Sequence, residues 1–305
     1  TPPHDRTRRQ RQMCIRDSYT SDRAHHSIAK AARIAGIAPN RVRMIATDDA
    51  LRLNVAALEA VIDHDLAAGL RPMLVAATAG TTDTGAIDPL AACADVAARH
   101  GAWLHVDGAY GGFFALTERG QERLAGIERA NSITVDAHKS LLNPFGVGGL
   151  LVRDRATLVA AHEGRGAYMR DVVDVSLPHY LEMGPELTRP SRGLPVWLAL
   201  QLHGVNAFVD VLDHMLDLTE HAARRLTDIP AIELVSTPSL SVVAFRGPDN
   251  DTTQHIQNTL NDSGDVYVSS TTIDLKDYVR LAFLSQRTTQ AHVDRAINLV
   301  AEAMA

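Results

Sequence analysis

Three short apolar stretches of this 305-residue sequence each end in side chains that could do chemistry. Thr81 and Thr82 follow the first stretch, Asp107 ends the second, and His138 and Lys139 follow the third. A lysine placed after a buried strand is a candidate nucleophile toward a carbonyl group, because burial favours the neutral amine with its free lone pair. If the three strand ends meet, these residues predict covalent chemistry on a carbonyl compound with a carboxylate nearby.

Each of these residues also has an ordinary structural interpretation when it is taken alone. Most lysines are solvated, most carboxylates after strands cap something, and threonines in loops usually make local backbone hydrogen bonds. Their joint placement is what favours a catalytic site. An amine and a carboxylate on neighbouring strands suit pyridoxal phosphate, since a carboxylate keeps the pyridine nitrogen of that cofactor protonated.

A mononuclear iron site is the alternative that the same region allows. His105 and Asp107 lie on the same face of a strand, because side chains alternate along it. Together with His138 they would form a set of two histidines and one carboxylate. This alternative leaves Lys139 without a role, and we therefore predict no metal.

The elements that would position these residues form a repeated strand and helix pattern. Apolar periodicity predicts a helix over residues 54–68 and a buried strand over residues 72–78. Asp88, followed by proline, has the type expected of a helix N-cap, and strands are then predicted over residues 103–107 and 133–137. Parallel strands buried by helices indicate an α/β sheet whose carboxyl ends share one edge.

The sheet is expected to be mixed, although mostly parallel. Only a short loop separates Lys139 from the apolar run that begins at Val147, whereas a parallel crossover needs a dozen or more residues. We therefore predict that this last strand is antiparallel to its neighbour or does not pair with it.

Three regions are predicted along the chain. Residues 1–18 contain five arginines and no helical or strand periodicity, so we expect a disordered or non-native segment there. Residues 19–194 are predicted to form a partial large cofactor-binding domain. In residues 195–305 short strands alternate with helices, which predicts a small C-terminal α+β domain.

Composition and charge disfavour several classes of function. The sequence has 30 Lys and Arg against 36 Asp and Glu, a net charge of −6, which does not favour nucleic-acid binding. It contains no unbroken apolar run of the roughly eighteen residues that a membrane span needs. Two cysteines cannot make a disulfide framework, so the cytoplasm is the expected location.

Several motifs resemble those of the group II pyridoxal-phosphate-dependent decarboxylases, which include the aromatic-amino-acid, histidine and glutamate decarboxylases. The resemblance covers essentially everything after Ser18 and rests on SDRAHHSIAKAA (21–32), VAATAGTTDTGAID (75–88), WLHVDGAYGG (103–112), SITVDAHKSLLNPFGVGGLLV (132–152) and TRPSRGLPVW (188–197). It implies the aspartate-aminotransferase fold (fold type I of these enzymes), pyridoxal 5′-phosphate as cofactor and a homodimer. It also implies decarboxylation of an L-amino acid to the amine and CO2.

The resemblance implies roles for individual residues. Lys139 corresponds to the lysine that holds the cofactor covalently, and Asp107 to the partner of the pyridine nitrogen. His25 resembles the histidine that stacks on the cofactor ring near the substrate carboxylate. Ala109 resembles the small residue on the other face of the ring, and Thr82 a hydroxyl beside the cofactor.

Two further residues and one departure follow from the resemblance. His138 resembles a residue near the phosphate, although a satisfied structural histidine fits equally well. Tyr168 matches a tyrosine that would protonate the carbon left by CO2, with an exposed loop tyrosine as the alternative. Aldehyde-forming relatives lack that tyrosine, so its presence favours plain decarboxylation. Asp136 stands where the family often has asparagine, and an anion suits a nearby phosphate poorly.

Other functions stay open on the sequence alone. The same scaffold supports aldehyde synthases and other carbon–carbon lyases. The glycine- and serine-rich phosphate-binding segment of the family would precede Ser18 and is absent from the sequence. An N-terminally truncated, non-catalytic fragment that only dimerises is therefore a further alternative. The amino-acid substrate cannot be identified, because pocket residues come partly from that segment and from the partner subunit.

Overall fold

A mixed six-stranded sheet organises the first half of the chain in the computed structural model, which describes residues 16–162 and 180–304. Its strands are β1 Arg16–Ser21, β2 Val42–Ile45, β3 Arg71–Thr78, β4 Trp103–Asp107, β5 Ser132–Asp136 and β6 Gly148–Val152. The spatial order is β2-β1-β3-β4-β5-β6, with β1 to β5 parallel and β6 antiparallel to β5. This confirms the predicted α/β class and the antiparallel last strand.

Helices lie between successive parallel strands of this sheet, and one more follows its last strand. They are α1 Ser27–Ile34, α2 Val55–Ala67, α3 Leu90–Arg99, α4 Glu118–Arg123 and α5 Arg155–His162. The side chain of Asn54 accepts a hydrogen bond from the backbone N–H of Ala57, so Asn54 caps α2. Gly69 follows this helix with a φ of +76°, which a residue with a side chain rarely adopts. The helix predicted over residues 54–68 is thus confirmed with its stop signal.

The role predicted for Asp88 is wrong. Its side chain makes no cap to α3, because its two carboxylate oxygens accept hydrogen bonds of 2.7 Å from the backbone N–H groups of Leu53 and Thr78. The carboxylate therefore ties the end of β3 to the segment before α2. Burial raises the pKa of Asp88 to about 6.

A second, antiparallel sheet follows in the C-terminal part of the chain. The elements are α6 Gly193–Thr227, β7 Glu233–Leu234, β8 Val242–Arg246, α7 Asn250–Asp262, β9 Ser269–Ile273, β10 Lys276–Ala282 and α8 Gln290–Ala303. The strands of this sheet lie in the order β7-β8-β10-β9. The buried core continues between the two sheets, since Leu104, Phe114, Leu212 and Phe245 belong to one apolar cluster. The division into two domains near residue 194 stays a prediction.

Helix α6 has two dissimilar halves. Gly204 interrupts its helical backbone with φ 77° and ψ 160°. Beyond this kink Phe208 and Leu212 are buried, whereas before it Trp197 is 57% exposed and Leu202 is 78% exposed. By length and composition alone, α6 is the one helix of the described residues that is apolar enough to cross a membrane.

The first strand corrects the expected boundary of the N-terminal segment. Residues 16–18 belong to β1, which lies between β2 and β3, so the irregular segment does not extend to Ser18. Asp17 and Ser18 are buried there, and neither side chain has a hydrogen-bond partner among the described residues. Burial raises the pKa of Asp17, although Arg41 Nη1 lies 3.5 Å from Asp17 Oδ1. This strand therefore carries polar groups where the sheet favours apolar ones.

Replacing Ser18 with alanine is expected to stabilise the fold by about 1 kcal/mol, because it removes a buried hydroxyl that no described residue pairs with. The matched control is Thr20→Val on the same strand. The buried hydroxyl of Thr20 donates to the carbonyl of Ala76 at 2.9 Å, so its loss is expected to destabilise the fold. Urea unfolding midpoints measure both changes. A midpoint that falls in Ser18→Ala as it does in Thr20→Val would contradict this account.

Candidate active site

A cavity of about 360 Å³ opens where β3, β4 and β5 end. Five predicted site residues line it: His25, Thr82, Asp107, Ala109 and Lys139. The strand ends lie side by side because the three strands are parallel and Asp107 pairs in register with Thr78 on one side and Thr134 on the other. The structure thus brings together the residues whose convergence the shared sheet edge predicts.

Two further predicted site residues, His138 and Tyr168, stand apart from these five for different reasons. The ring nitrogen Nδ1 of His138 donates to the carbonyl of Val147 at 2.9 Å, and the ring packs edge-on against Phe145. This contact fits the structural interpretation of His138, whose role near a phosphate stays a prediction. Tyr168 lies outside the described residues. Thr81 also has a local role, because its hydroxyl accepts from the backbone N–H of Ala86 at 3.1 Å.

Lys139 reaches the cavity from the turn that follows β5. Its Nζ lies 2.9 Å from Asp136 Oδ2, and 40% of its side-chain surface is exposed. The sequence predicts a buried Lys139 whose neutral amine is favoured. In the structure this lysine is only partly buried and is paired with the carboxylate of Asp136. Its suitability as a nucleophile therefore rests on its position in the cavity and not on desolvation.

Asp107 and His25 face the same cavity from different segments. Asp107 ends β4, and its Oδ1 accepts a hydrogen bond of 3.1 Å from the backbone N–H of Ala109. His25 precedes α1, and burial lowers its pKa, as does the neighbouring His26, while Asp107 acts in the opposite direction. The cavity thus combines an amine, a carboxylate and an imidazole whose neutral form is favoured.

His105, the residue of the alternative iron site, is engaged by hydroxyl groups. Its Nδ1 lies 2.9 Å from Ser132 Oγ, and its Nε2 lies 3.3 Å from Thr134 Oγ1. The indole N–H of Trp103 also donates to Ser132 Oγ at 2.8 Å. Within residues 16–162 and 180–304, no group of three or more His, Cys, Asp or Glu side chains is arranged to hold a metal ion.

No sequence pattern indicates the contacts that hold the Thr82 loop against the C-terminal part of the chain. The Arg280 guanidinium donates to the carbonyl of Thr82 and, at 2.7 Å, to that of Asp83. Tyr110, which lines the cavity, accepts at its hydroxyl from the backbone N–H of Ser241 at 2.8 Å. These partners are far apart in the chain, so no local pattern could reveal them.

Comparison with known proteins assigns a family to this arrangement. Residues 4–247 match the family described as "Pyridoxal-dependent decarboxylase conserved domain". The chain belongs to this family. The match contains the β3, β4 and β5 strand ends and the motifs around Asp107 and Lys139, and it confirms the resemblance drawn from those motifs.

Individual relatives agree with the family. The chain is 34% identical to an aromatic-L-amino-acid decarboxylase of Bacillus atrophaeus over 89% of its own length and 59% of that protein. It is 36% identical to an L-2,4-diaminobutyrate decarboxylase of Rhizobium meliloti over 93% of its own length and again 59% of the relative. The chain therefore spans about three fifths of these curated relatives.

Crystal structures of related proteins show the same fold. The Oryza sativa TDC structure with PLP and tryptamine superposes with a TM-score of 0.92 at 27% identity, covering 98% of this chain and 64% of that one. The predicted fold type I architecture is thus confirmed for this member of the family.

Removing the hydroxyl of Tyr110 is expected to destabilise the protein by roughly 1–3 kcal/mol, because it leaves the buried polar groups of Ser241 without this partner. Tyr110→Phe tests this by thermal or urea unfolding. Tyr267→Phe is the control, since Tyr267 is exposed and its change should leave the midpoint unaltered. Equal midpoints in both variants would show that the Tyr110 contact is dispensable.

Proposed function

We propose that this chain carries the catalytic core of a pyridoxal-phosphate-dependent decarboxylase that converts an L-amino acid to the amine and CO2. The observation that carries the proposal is the meeting of the Lys139 amine and the Asp107 carboxylate in one cavity at the ends of neighbouring strands. Family membership supports the same reaction. The names of the relatives include several different amino-acid decarboxylases, so the substrate is left at the level of an L-amino acid.

The donor set of the cavity fits pyridoxal phosphate. Lys139 Nζ would hold the cofactor covalently, and the Asp107 carboxylate would hold a proton on the pyridine nitrogen. His25 and Ala109 would contact the ring, and Thr82 would supply a hydroxyl beside it. When bound, the cofactor supplies an electron sink for the electron pair left by loss of CO2. The chain's own contribution is to bind the amino acid, orient its carboxylate and keep that ring nitrogen protonated.

A homodimer is part of the proposal. The first half of α6 exposes Trp197 and Leu202, and the loop before β6 exposes 94% of Phe145. The edge strand β6 adds Leu150 and Leu151, both more than half exposed. Apolar surface of this kind is typical of a protein interface, and a second copy of the chain would cover it.

Location and the remaining partners are proposed on composition. A net charge of −6 and the free, buried Cys93 support a cytoplasmic protein that binds neither nucleic acid nor membrane, and its proposed partner is a small-molecule amino-acid substrate. The aldehyde synthases among the relatives support a second candidate reaction on the same scaffold. One of them, a phenylacetaldehyde synthase of Arabidopsis thaliana, is 29% identical to this chain.

Covalent labelling tests the proposal directly. The chain has three lysines, Lys30, Lys139 and Lys276, so a peptide map is unambiguous. After incubation with pyridoxal phosphate and borohydride reduction, we expect the label on Lys139, because this amine opens into the cavity beside Asp107. Lys139→Ala should abolish the label, and Lys30→Ala, a change on the exposed side of α1, should leave it. A label that survives in Lys139→Ala would overturn the assignment.

Tyr168→Phe distinguishes decarboxylation from aldehyde formation. If Tyr168 returns a proton to the carbon that has lost CO2, the phenylalanine variant should still bind the cofactor but release the amine more slowly. Oxygen then competes for the unprotonated carbon, so aldehyde, ammonia and peroxide should replace part of the amine. Product analysis under air measures the ratio of amine to aldehyde. Release of amine at the parent rate would remove Tyr168 from the mechanism.

A further inference from the structure

Two segments that line the cavity leave neighbouring strands at the same edge of the first sheet. Strands β1 and β3 are parallel neighbours. Residues 22–26, here called the His25 segment, follow β1, and residues 79–84, the Thr82 loop, follow β3. His25 and Thr82 both line the cavity beside Lys139. The position of one segment relative to the other therefore shapes this side of the cavity.

The Thr82 loop is anchored by the C-terminal part of the chain and by its own turn. The Arg280 guanidinium donates to the carbonyls of Thr82 and Asp83. Within the loop, the backbone N–H of Thr81 donates to the carbonyl of Ala86 at 2.9 Å. These contacts hold the loop independently of the segment that follows β1.

The backbone of the His25 segment is held mainly by its own turn. The backbone N–H of Asp22 donates to the carbonyl of Ile45 on β2 at 2.9 Å. The N–H groups of Arg23 and Ala24 donate within the turn, to the side chain and to the carbonyl of Ser21, at 3.0 Å each. None of these backbone contacts reaches the Thr82 loop, so they do not fix the segment relative to it.

Arg23 and Asp83 form the ion pair that joins the two segments. Arg23 Nη1 lies 3.5 Å from Asp83 Oδ2, and among the described residues this is the one polar contact between the His25 segment and the Thr82 loop. Only 18% and 19% of the two side chains are exposed, so solvent screens their attraction less than that of a surface pair. Arg23 Nη2 also lies 3.8 Å from Asp274 Oδ1, but Asp274 is 88% exposed. An ion pair with so exposed a carboxylate contributes little.

We propose that Arg23 is a positioning residue, whose ion pair with Asp83 holds the His25 segment against the anchored Thr82 loop and thereby fixes the His25 ring in the cavity. Arg23 lies two residues before His25, so the place of its guanidinium limits where the ring can lie. Neither Arg23 nor Asp83 lines the cavity, and their effect on a bound molecule is therefore indirect. The inference rests on the proposed function only for the identity of that molecule.

Hydrogen exchange of the backbone amides in the full chain tests this link without cofactor. The reporter is the amide of Ala24, whose N–H donates to Ser21 inside the His25 segment. Arg23→Gln and Asp83→Asn each remove one charge of the pair, and asparagine keeps the Oδ1 atom that accepts from the backbone N–H of Thr84. We expect the Ala24 amide to exchange about fivefold faster in either variant, which is the effect of one ion pair at the upper end of the usual range.

Matched variants separate the ion pair from other effects. The double variant Arg23→Gln/Asp83→Asn should exchange no faster than either single variant, because both changes break the same pair. Arg23→Lys keeps the cation and should bring the rate back toward the parent, and Asp274→Asn, which removes the exposed partner, should leave it unchanged. The Asp83 carboxylate also attracts Arg280, so agreement between the two single variants is part of the expected result.

Three exchange results would overturn the proposal. One is the parent rate in Asp83→Asn. Another is a double variant that exchanges about twenty-five-fold faster than the parent, since independent effects multiply. The third is an equal acceleration at the amides of the central strand β4, which would show a loss of overall stability and no local positioning.

Labelling of Lys139 with pyridoxal phosphate and borohydride adds a readout toward the bound molecule. In Arg23→Gln we expect a higher cofactor concentration at half-maximal labelling but the full label at saturation, because Lys139 itself is not displaced. An unchanged half-maximal concentration would confine Arg23 to a structural role and overturn the proposal. Absence of the label in the parent would contradict the proposed function alone, because the exchange rates are measured without cofactor.

Discussion

The parallel register of β3, β4 and β5 is the constraint on which the candidate site depends. Thr78 pairs with Asp107 and Asp107 pairs with Thr134, so the strands deliver their last side chains at one level of the sheet edge. A slip by one residue would turn Asp107 to the opposite face and away from the cavity. Lys139 lies three residues after the end of β5 at Asp136, so it stays at the same edge of the sheet. The parallel register therefore brings residues that are distant in sequence to one cavity.

Much of this arrangement could be predicted from the sequence because it follows from local pattern and chain length. Short apolar runs and the stop at Gly69 indicate the strands and α2, and the short loop before Val147 indicates that β6 is antiparallel to its neighbour or does not pair with it. Placing Asp107 and Lys139 at one edge needed only the rule that parallel strands share their carboxyl ends. His25 is different, because no periodicity relates it to these strands, and only its motif connected it with the site.

The errors have a common physical cause, which is that long-range burial overrode local preference. Asp88 has the residue type of a helix cap, yet its carboxylate is used by backbone N–H groups of two other segments. Residues 16–18 look unsuited to a buried strand, yet β1 is placed by pairing with β2 and β3 on both sides. Tyr110 was missed because its importance lies in Ser241, a partner far along the chain that pattern alone does not specify.

The charges in the cavity show how this chain accommodates Asp136, the carboxylate that departs from the usual asparagine. From the sequence, an anion at this position is expected to suit a nearby phosphate poorly. In the structure its Oδ2 lies 2.9 Å from Lys139 Nζ and 3.8 Å from His138 Nε2. Because His138 Nδ1 donates to Val147, Nε2 is the nitrogen that faces this carboxylate. Among the described residues, Lys139 therefore supplies the direct cationic partner of Asp136, and the more distant His138 ring is held by the carbonyl of Val147. The aspartate thus sits in a set of three neighbouring side chains after β5, so its charge is paired within the protein and does not face the cavity alone.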